Sequence, residues 1–397
     1  MKRMAVWCAA ALLMSTATMA VAQERPARPV FDPALMIQGE YVGEVPATVA
    51  ENATKMGVQI VALGNDEYQL VAFKGGLPGE EGVAWPPVSQ ETVKVKFADG
   101  KLSMTGDGWA TEMSMPGPGV TAERTAARER GENSAPTFGR GAVGGGFGFT
   151  VPIRIDGKEY SFRKVNRRSE TLGEKAPEGA IMMFEGNLFG GFGQGAVRGM
   201  RGQGGNATTG ERPSRPAVNI STENLAQGVV DEVTGLLTEK GGVITKERFQ
   251  DFQLHLEFRL PLMAEARGQA RANSGLYLQG RYEVQILDSF GLEPKDNECG
   301  GIYSISVPKV NACFPPMAWQ TYDVEFTAAK FDANGERTAP AHAVVKLNGI
   351  LIHDTDLEHA TPGGVVTPRQ SPRSGPIFLQ DHASDPVRFR NFWVLSK

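Results

Sequence analysis

Asn273-Ser-Gly-Leu-Tyr-Leu-Gln-Gly-Arg-Tyr-Glu-Val-Gln-Ile-Leu-Asp288 alternates as a β-strand does, with more polar side chains than solubility requires. In its second half Tyr282, Val284 and Ile286 fall on one face of an extended chain, and Glu283 and Gln285 fall on the other. Arg281 precedes this row and Asp288 follows it. A carboxylate and a carboxamide side by side on a sheet face supply the acceptors and donors that sugar hydroxyls need. The stretch therefore predicts a sheet with a carbohydrate-binding surface on it.

The same period of two recurs on both sides of this stretch. Phe252, Leu254, Leu256 and Phe258 alternate with Gln253, His255, Glu257 and Arg259, and Tyr322, Val324 and Phe326 alternate with Thr321, Asp323 and Glu325. Ala343 to His353 reads as two strands around an Asn348-Gly349 turn, and Val387 to Leu395 changes phase at Asn391 as a β-bulge would. Upstream, Val58–Leu63, Tyr68–Phe73, Thr92–Phe97, Ile153–Ile155 and Lys158–Phe162 are short strands, with turns at Gly64–Glu67 and Asp156-Gly157. Many strands without a helix of convincing length predict an all-β sandwich or barrel, preceded by a small β domain over 31–170.

Two low-complexity stretches interrupt this pattern. Residues 117–148 are rich in Gly, Arg, Glu and Ala and bury too little apolar surface to order themselves, so they read as an insertion. Residues 186–215 contain glycine runs that superficially suggest a phosphate loop. No helix pattern follows them, and a flexible linker or insertion is the better reading.

The 397 residues carry 41 Lys and Arg against 45 Asp and Glu, a net charge of −4 that argues against nucleic acid or an anionic membrane as the partner. Lys2 and Arg3, an apolar run from Met4 to Met19 and Ala20-Val-Ala22 before Gln23 fit a secretory signal peptide over 1–22. A secreted or periplasmic protein is expected, with no membrane span after the signal is removed. Cys299 and Cys313 then remain in a compartment that permits disulfides, and they are expected to pair. Such a bridge would pin a Gly/Pro-rich segment and contribute ~3 kcal/mol. The alternative is two unpaired thiols.

Nine segments in order carry a resemblance: Gly179-Ala-Ile-Met-Met-Phe-Glu-Gly186, Phe249-Gln-Asp-Phe-Gln-Leu254, Asn273-Ser-Gly275, Tyr282-Glu-Val-Gln-Ile-Leu-Asp288, Gly300-Gly-Ile-Tyr303, Trp319-Gln-Thr-Tyr322, Leu347-Asn-Gly349, Gly375-Pro-Ile-Phe-Leu-Gln-Asp-His382 and Arg390-Asn391. Together they resemble the bacterial 3-keto-disaccharide hydrolase domain family, also described as the 3-keto-glucoside 1,2-lyase or 3-keto-2-hydroxyglucal hydratase domain, over 178–397. The chain departs from that family in the Gly/Arg-rich insertion after Gly186 and in the cysteine-containing loop from Lys295 to Pro316. The resemblance implies a concanavalin A-like jelly-roll sandwich. It also implies a substrate oxidised to a ketone at C3, which acidifies the C2 hydrogen so that a base starts β-elimination of the C1 oxygen. Later hydration makes the net reaction a hydrolysis.

That chemistry needs a base, a group that stabilises the enolate and an acid for the leaving group. Glu283 is the first candidate for a catalytic or metal-ligating carboxylate, and His382 is the candidate base because imidazole titrates near neutrality. Asp288 is a candidate metal ligand or base orienter, or a turn cap with Ser289. Gln285, Gln380 and Asn273 are candidate hydroxyl binders, Asn273 having a turn role as its alternative. Arg281 either steadies a substrate oxygen or forms a salt bridge. Tyr303 and Trp319 either stack on sugar or fill core.

A divalent metal held by Glu283, Asp288 and His382 is an open possibility, no nicotinamide is expected, and His255, His342, His353 and His359 read as structural or solvent-exposed. Two rival functions remain. A glucanase-type hydrolase would use Glu283 with Asp288, although positions five apart on a regular strand point to opposite faces. A non-catalytic carbohydrate-binding module would use the same polar row for recognition alone.

Overall fold

The computed structural model describes residues 33–46, 55–99, 101–107, 109–114, 150–155, 158–184, 188–189, 225–230, 237–363, 365–367, 370–382 and 387–397. The predicted signal peptide, the whole 117–148 stretch and nearly all of 186–215 lie outside them. The described chain is almost entirely β. Among its residues, no helix is long and apolar enough to cross a membrane.

After a short helix α1 (Pro33–Ile37), the N-terminal sheet is built from β1 (Gly39–Glu44), β2 (Lys55–Gly64), β3 (Glu67–Lys74), β4 (Ser89–Ala98), β5 (Lys101–Gly106), β6 (Trp109–Ser114), β7 (Thr150–Ile155) and β8 (Lys158–Val165), in the order β6-β5-β4-β3-β2-β1-β8-β7. The β2–β3 turn forms because Asn65 and Asp66 both accept left-handed backbone (φ 51° and 61°), as a tight primed turn demands. Val58, Ile60, Ala62, Leu70, Val93, Val95, Met104 and Phe162 fill the core of this sheet together with Ile37 of α1, and Leu262 and Ala264 of the C-terminal half pack against it. Strand β2 reads as a continuous apolar run rather than an alternating one because its other face is also covered. Gln59 and Val61 are 2% and 3% exposed, and Val61 packs closely on Gly291 of the C-terminal half.

The C-terminal half is a concanavalin A-like jelly-roll sandwich of two antiparallel sheets. The larger has seven strands: β9 (Ile181–Phe184), β10 (Leu188–Phe189), β13 (Phe252–Arg259), β16 (Trp319–Thr327), β19 (Ala341–Leu347), β20 (Ile350–Leu357) and β22 (Arg388–Ser396). The smaller runs β11 (Leu225–Val230), β12 (Leu237–Thr245), β21 (Phe378–Gln380), β14 (Ser274–Leu278) and β15 (Tyr282–Ile286). A ribbon of β17 (Lys330–Phe331) and β18 (Arg337–Ala339) lies apart.

The period of two decides the packing. Phe252, Leu254, Leu256 and Phe258 meet Leu276, Leu278, Tyr282, Val284 and Ile286 in one core. Each such side chain contributes about 1.5–3 kcal/mol of burial. Within it Phe258 stacks on Tyr322 at 5.0 Å and Phe252 on Phe326 at 4.9 Å. The phase change on β22 is a bulge: two steps on β13, from His255 to Glu257, match three on β22, from Trp393 to Arg390, with Asn391 at φ 46°.

The expected disulfide is not formed, and Cys299 and Cys313 are both free, buried thiols. The two side chains are in hydrogen-bond contact with each other, and each serves as a small apolar side chain in the sandwich core with a further weak polar contact. Cys299 Sγ lies 3.5 Å from Tyr322 Oη, and Cys313 Sγ lies 3.4 Å from Phe314 O. The irregular segment is pinned by other means. Asn311 Nδ2 donates to Ser289 O and Leu292 O at 2.6 and 2.8 Å, and Cys299 N donates to Ser289 Oγ at 2.8 Å.

Candidate functional site

The polar row lies on the face of the five-stranded sheet that points away from the sandwich core. Antiparallel register sets Tyr277 opposite Glu283 and Gly275 opposite Gln285 across β14 and β15, with Phe378 of β21 on the other side of Tyr277. Asn273 and Gln380 belong to the same face by alternation along their strands. Gly275 makes room for the carboxylate, since a Cβ there would stand 2.3 Å from Glu283 Oε1. Ile302 bridges to Val284 and enters the core, and Tyr303 N donates to Glu283 O at 2.9 Å. Alternation then turns Tyr303 toward Tyr277 and Glu283.

Glu283 and Asn273 are each 5% exposed, Gln285 and Tyr277 each 1%, Gln380 and Tyr303 are half-buried, and His382 is exposed beyond the end of β21. Burial, then the charge of Glu283 and a hydrogen bond to it, push the Tyr277 phenol well above its usual range, so it is a neutral donor beside the carboxylate. Gln380 Nε2 donates to Tyr277 Oη at 3.4 Å. The carboxylate, the phenol and the amides thus share one surface, where Tyr277 is able to give a proton in a hydrogen bond and Glu283 is able to receive one.

Several sequence candidates have other duties. Asp288 is 2% exposed and accepts from Arg271 Nε at 2.6 Å and from Phe290 N at 3.3 Å, so it does not stand beside Glu283 as a second acid. Burial outweighs the Arg271 charge and raises its carboxyl. Arg271 in turn reaches Ala62 O of β2 at 3.2 Å, making the pair a clamp between the two halves. Arg281 sits in the β14–β15 turn, where it binds Gln279 Oε1, Ser371 Oγ and Arg373 O at 2.5, 2.9 and 3.0 Å, so it ties the 371–373 loop to the turn.

Trp319 is on the outer face of the other sheet, with the guanidinium groups of Arg390 and Arg259 over its ring at 4.0 and 5.2 Å, and so it is not part of the polar row. Glu283, Asp288 and His382 do not gather as metal ligands. Among the described residues, the group whose ligand atoms all lie within 4.8 Å of one another is Glu174, His255 and Asp323.

That second cluster lies on the outer face of the seven-stranded sheet. His255 Nδ1 and Asp323 Oδ1 are 2.5 Å apart, and Nε2 stands 3.6 Å from Glu257 Oε1. Arg390 Nε donates to Glu257 Oε2 at 2.5 Å, and Gly173 N donates to Glu257 Oε1 at 2.6 Å. Burial alone would pull the imidazole down, but hydrogen bonds and charges from Asp323 and Glu257 outweigh it and hold His255 up at about 9. Among the other histidines, His353 has a direct bearing on the site. Burial holds it down at about 4, and its Nε2 pairs with Gly300 O at 2.7 Å at the start of the turn that carries Tyr303.

Residues beyond the sequence reading complete the row. Tyr277 was legible in principle, because Asn273, Gly275 and Tyr277 continue the polar face across the hairpin. Gln269 and Thr361 come from loops with no periodic signal. Thr361 Oγ1 accepts from Glu283 N at 3.0 Å, and Gln269 Oε1 accepts from Gln285 Nε2 at 3.0 Å.

The 3-keto-alpha-glucoside-1,2-lyase-like domain matches residues 183–395. No curated protein matches the chain. Similar solved structures include a putative glycosyl hydrolase from Parabacteroides distasonis, 26% identical over 68% of this chain and 96% of that one, with a TM-score of 0.39. A second putative glycosyl hydrolase from the same organism is 19% identical over 41% of this chain and 85% of its own, with a TM-score of 0.30. The carbohydrate-binding module CBM66 from Bacillus subtilis is 13% identical over 44% and 96%, with a TM-score of 0.24.

Proposed function

Because the chain belongs to the 3-keto-alpha-glucoside-1,2-lyase-like domain family, we propose that it is an exported enzyme that cleaves 3-keto-glycosides by β-elimination at this face. Glu283 takes the C2 proton, and the electron pair moves onto the C3 carbonyl oxygen as an enolate. Once Glu283 is protonated it no longer holds the Tyr277 hydrogen, and the phenols of Tyr277 and Tyr303 donate to that oxygen. The enolate then collapses, expelling the C1 oxygen as an alcohol that takes its proton from His382, and leaves a 3-keto-2-hydroxyglucal. Addition of water to the double bond completes net hydrolysis.

The observation that carries this reading is the Glu283 carboxylate, seated over Gly275 with the Tyr277 hydroxyl bonded to it on a face that also carries the amides of Asn273, Gln285 and Gln380 and the ring of Phe378. A positioned base is worth about 10²- to 10⁴-fold and an oxyanion donor about 10²- to 10³-fold. The glucanase route lacks its second acid here, because Asp288 is turned to Arg271.

Incubating the purified protein with a 3-keto-glucoside and with its unoxidised parent tests the proposal. Release of the aglycone from the keto sugar alone, with a transient 2-hydroxyglucal, is expected. Equal cleavage of the unoxidised glycoside would replace elimination by ordinary hydrolysis, and binding without turnover would leave a recognition module. If Glu283→Gln and His382→Ala both turned over like the parent, the site assignment would fail. Export is tested by N-terminal sequencing of the protein from its native host, where a mature chain starting at Gln23 is expected.

A further inference from the structure

The amides of the row form a chain whose direction is set at one end. Gln269 Nε2 donates to Asn297 O at 2.8 Å, and a backbone carbonyl only accepts, so the Gln269 carboxamide has one orientation. Its Oε1 then faces the row and accepts from Asn273 Nδ2 and from Gln285 Nε2, each at 3.0 Å. Asn273 Oδ1 accepts from Gln285 Nε2 at 3.3 Å, which accounts for both hydrogens of that amide. Reversing Gln285 would set its oxygen against two other oxygens. What is left over is Gln285 Oε1, an acceptor in a side chain 1% exposed and without a hydrogen-bond partner. An unpaired buried acceptor costs about 1–3 kcal/mol, and a ligand that supplies a hydrogen recovers part of it.

The residue that sets this polarity is held by the N-terminal half. In the segment that leads into Gln269, Leu262 and Ala264 pack on the N-terminal core, whereas Met263 between them packs on the sandwich core. Arg267 binds Leu63 O, and Arg271 binds both Ala62 O and Asp288, so the segment is fastened on both sides of Gln269.

We infer that Gln269 is a positioning residue that makes Gln285 present an acceptor, and that the substrate group seated there is a hydroxyl donor and not the ketone. This rests on the sugar-binding reading of the face. The ketone oxygen, which has no hydrogen to give, is then left to the phenols of Tyr277 and Tyr303. The N-terminal β domain thereby acquires a part in selectivity without touching the substrate.

Methyl α-glucoside and its monodeoxy and monofluoro derivatives, titrated calorimetrically into the full chain, test the inference. At one ring position, both the deoxy and the fluoro compound are expected to bind ~10-fold more weakly, because fluorine accepts but does not donate. In Gln269→Met that penalty should fall below ~3-fold, since the Gln285 amide is freed to turn, while penalties at other positions persist. Gln285→Met, with a melting temperature near the parent's, should erase the same penalty and serves as the second variant should Gln269→Met fold poorly.

Fluoro derivatives that bind like the parent sugar at every position would overturn the inference, as would an unchanged penalty in both variants. Absence of any glucoside binding would sink it together with the sugar reading. A persistent penalty pattern in a protein that never cleaves 3-keto-glucosides would sink the lyase proposal alone.

Discussion

Both sheets of the sandwich bury polar side chains on their outer faces, yet they do so in opposite ways. On the seven-stranded sheet, charge closes on charge: His255 lies between Asp323 and Glu257, Arg390 binds Glu257, and Trp393 stacks on the imidazole at 5.5 Å. On the five-stranded sheet, the amides hand hydrogens along a line that ends at an open acceptor, beside a carboxylate whose neighbour is a phenol. The first arrangement fastens the 169–174 segment to the sheet, through Gly173 N on Glu257 and Thr171 Oγ1 on Asp323. The second leaves hydrogen-bonding capacity for something else. His255 Nε2 and Trp393 Nε1 also lack hydrogen-bond partners, so an unpaired atom does not by itself mark a site; the five-stranded sheet differs in that its unpaired acceptor shares a face with the Glu283 carboxylate and the Tyr277 phenol.

The contrast is broken most directly at Glu283. Glu283→Gln keeps the shape of the row, and it is expected to lower kcat on a 3-keto-glucoside by about 10²- to 10⁴-fold with little change in melting temperature. A variant as active as the parent would make the two faces equivalent. The matching change on the other sheet is His255→Leu, which takes one partner from two carboxylates that keep others, Glu257 with Arg390 and Asp323 with Thr171. It should cost about 1.5–3 kcal/mol in urea unfolding while the folded fraction keeps its kcat.

That cost also has a pH signature. Because His255 is held up at about 9 against an ordinary value near 6.5, its contribution is complete below about pH 6.5 and is lost as the pH rises through about 9. The stability gap between parent and His255→Leu should close over that interval, and a gap independent of pH would show that the ring is not charged. Smaller effects sharpen the comparison. Tyr303→Ala should lower kcat ~10²-fold through loss of an enolate donor, whereas Trp319→Ala, on the far sheet, should leave kcat within about twofold. Smallest of all, reductant should leave the melting temperature of the protein unchanged, because Cys299 and Cys313 are thiols.

Much of this was legible before folding. Alternation along 252–258, 282–286 and 322–326 placed core against surface, and Asn348-Gly349 (φ 56° and 83°) marked a turn because so few residues accept that backbone. Glu283 and Gln285 were readable as partners on one face for the same local reason. Asp288, Arg281 and Trp319 misled because polarity and aromaticity near a motif say nothing about which neighbour claims the side chain. Asp288 went to Arg271, Arg281 to the 371–373 loop, and Trp319 to two guanidinium groups on the other sheet. The cysteines do come together, as their spacing allows, but as two thiols in contact and not as a bridge, and side-chain to backbone bonds from Asn311 hold that loop.

From the residues alone came the all-β character, the strand faces and the pairing of a carboxylate with an amide, since these depend on the two-residue period of an extended chain and on a few turn conformations. Which strands became neighbours, and which loop closed over them, came from the packed molecule. Tyr277 meets Glu283 through strand register, and Gln269 meets Gln285 because its segment is fastened between two cores. Period assigns a side chain to a face, but only long-range burial and register bring two faces, or a face and a loop, to the same point in space.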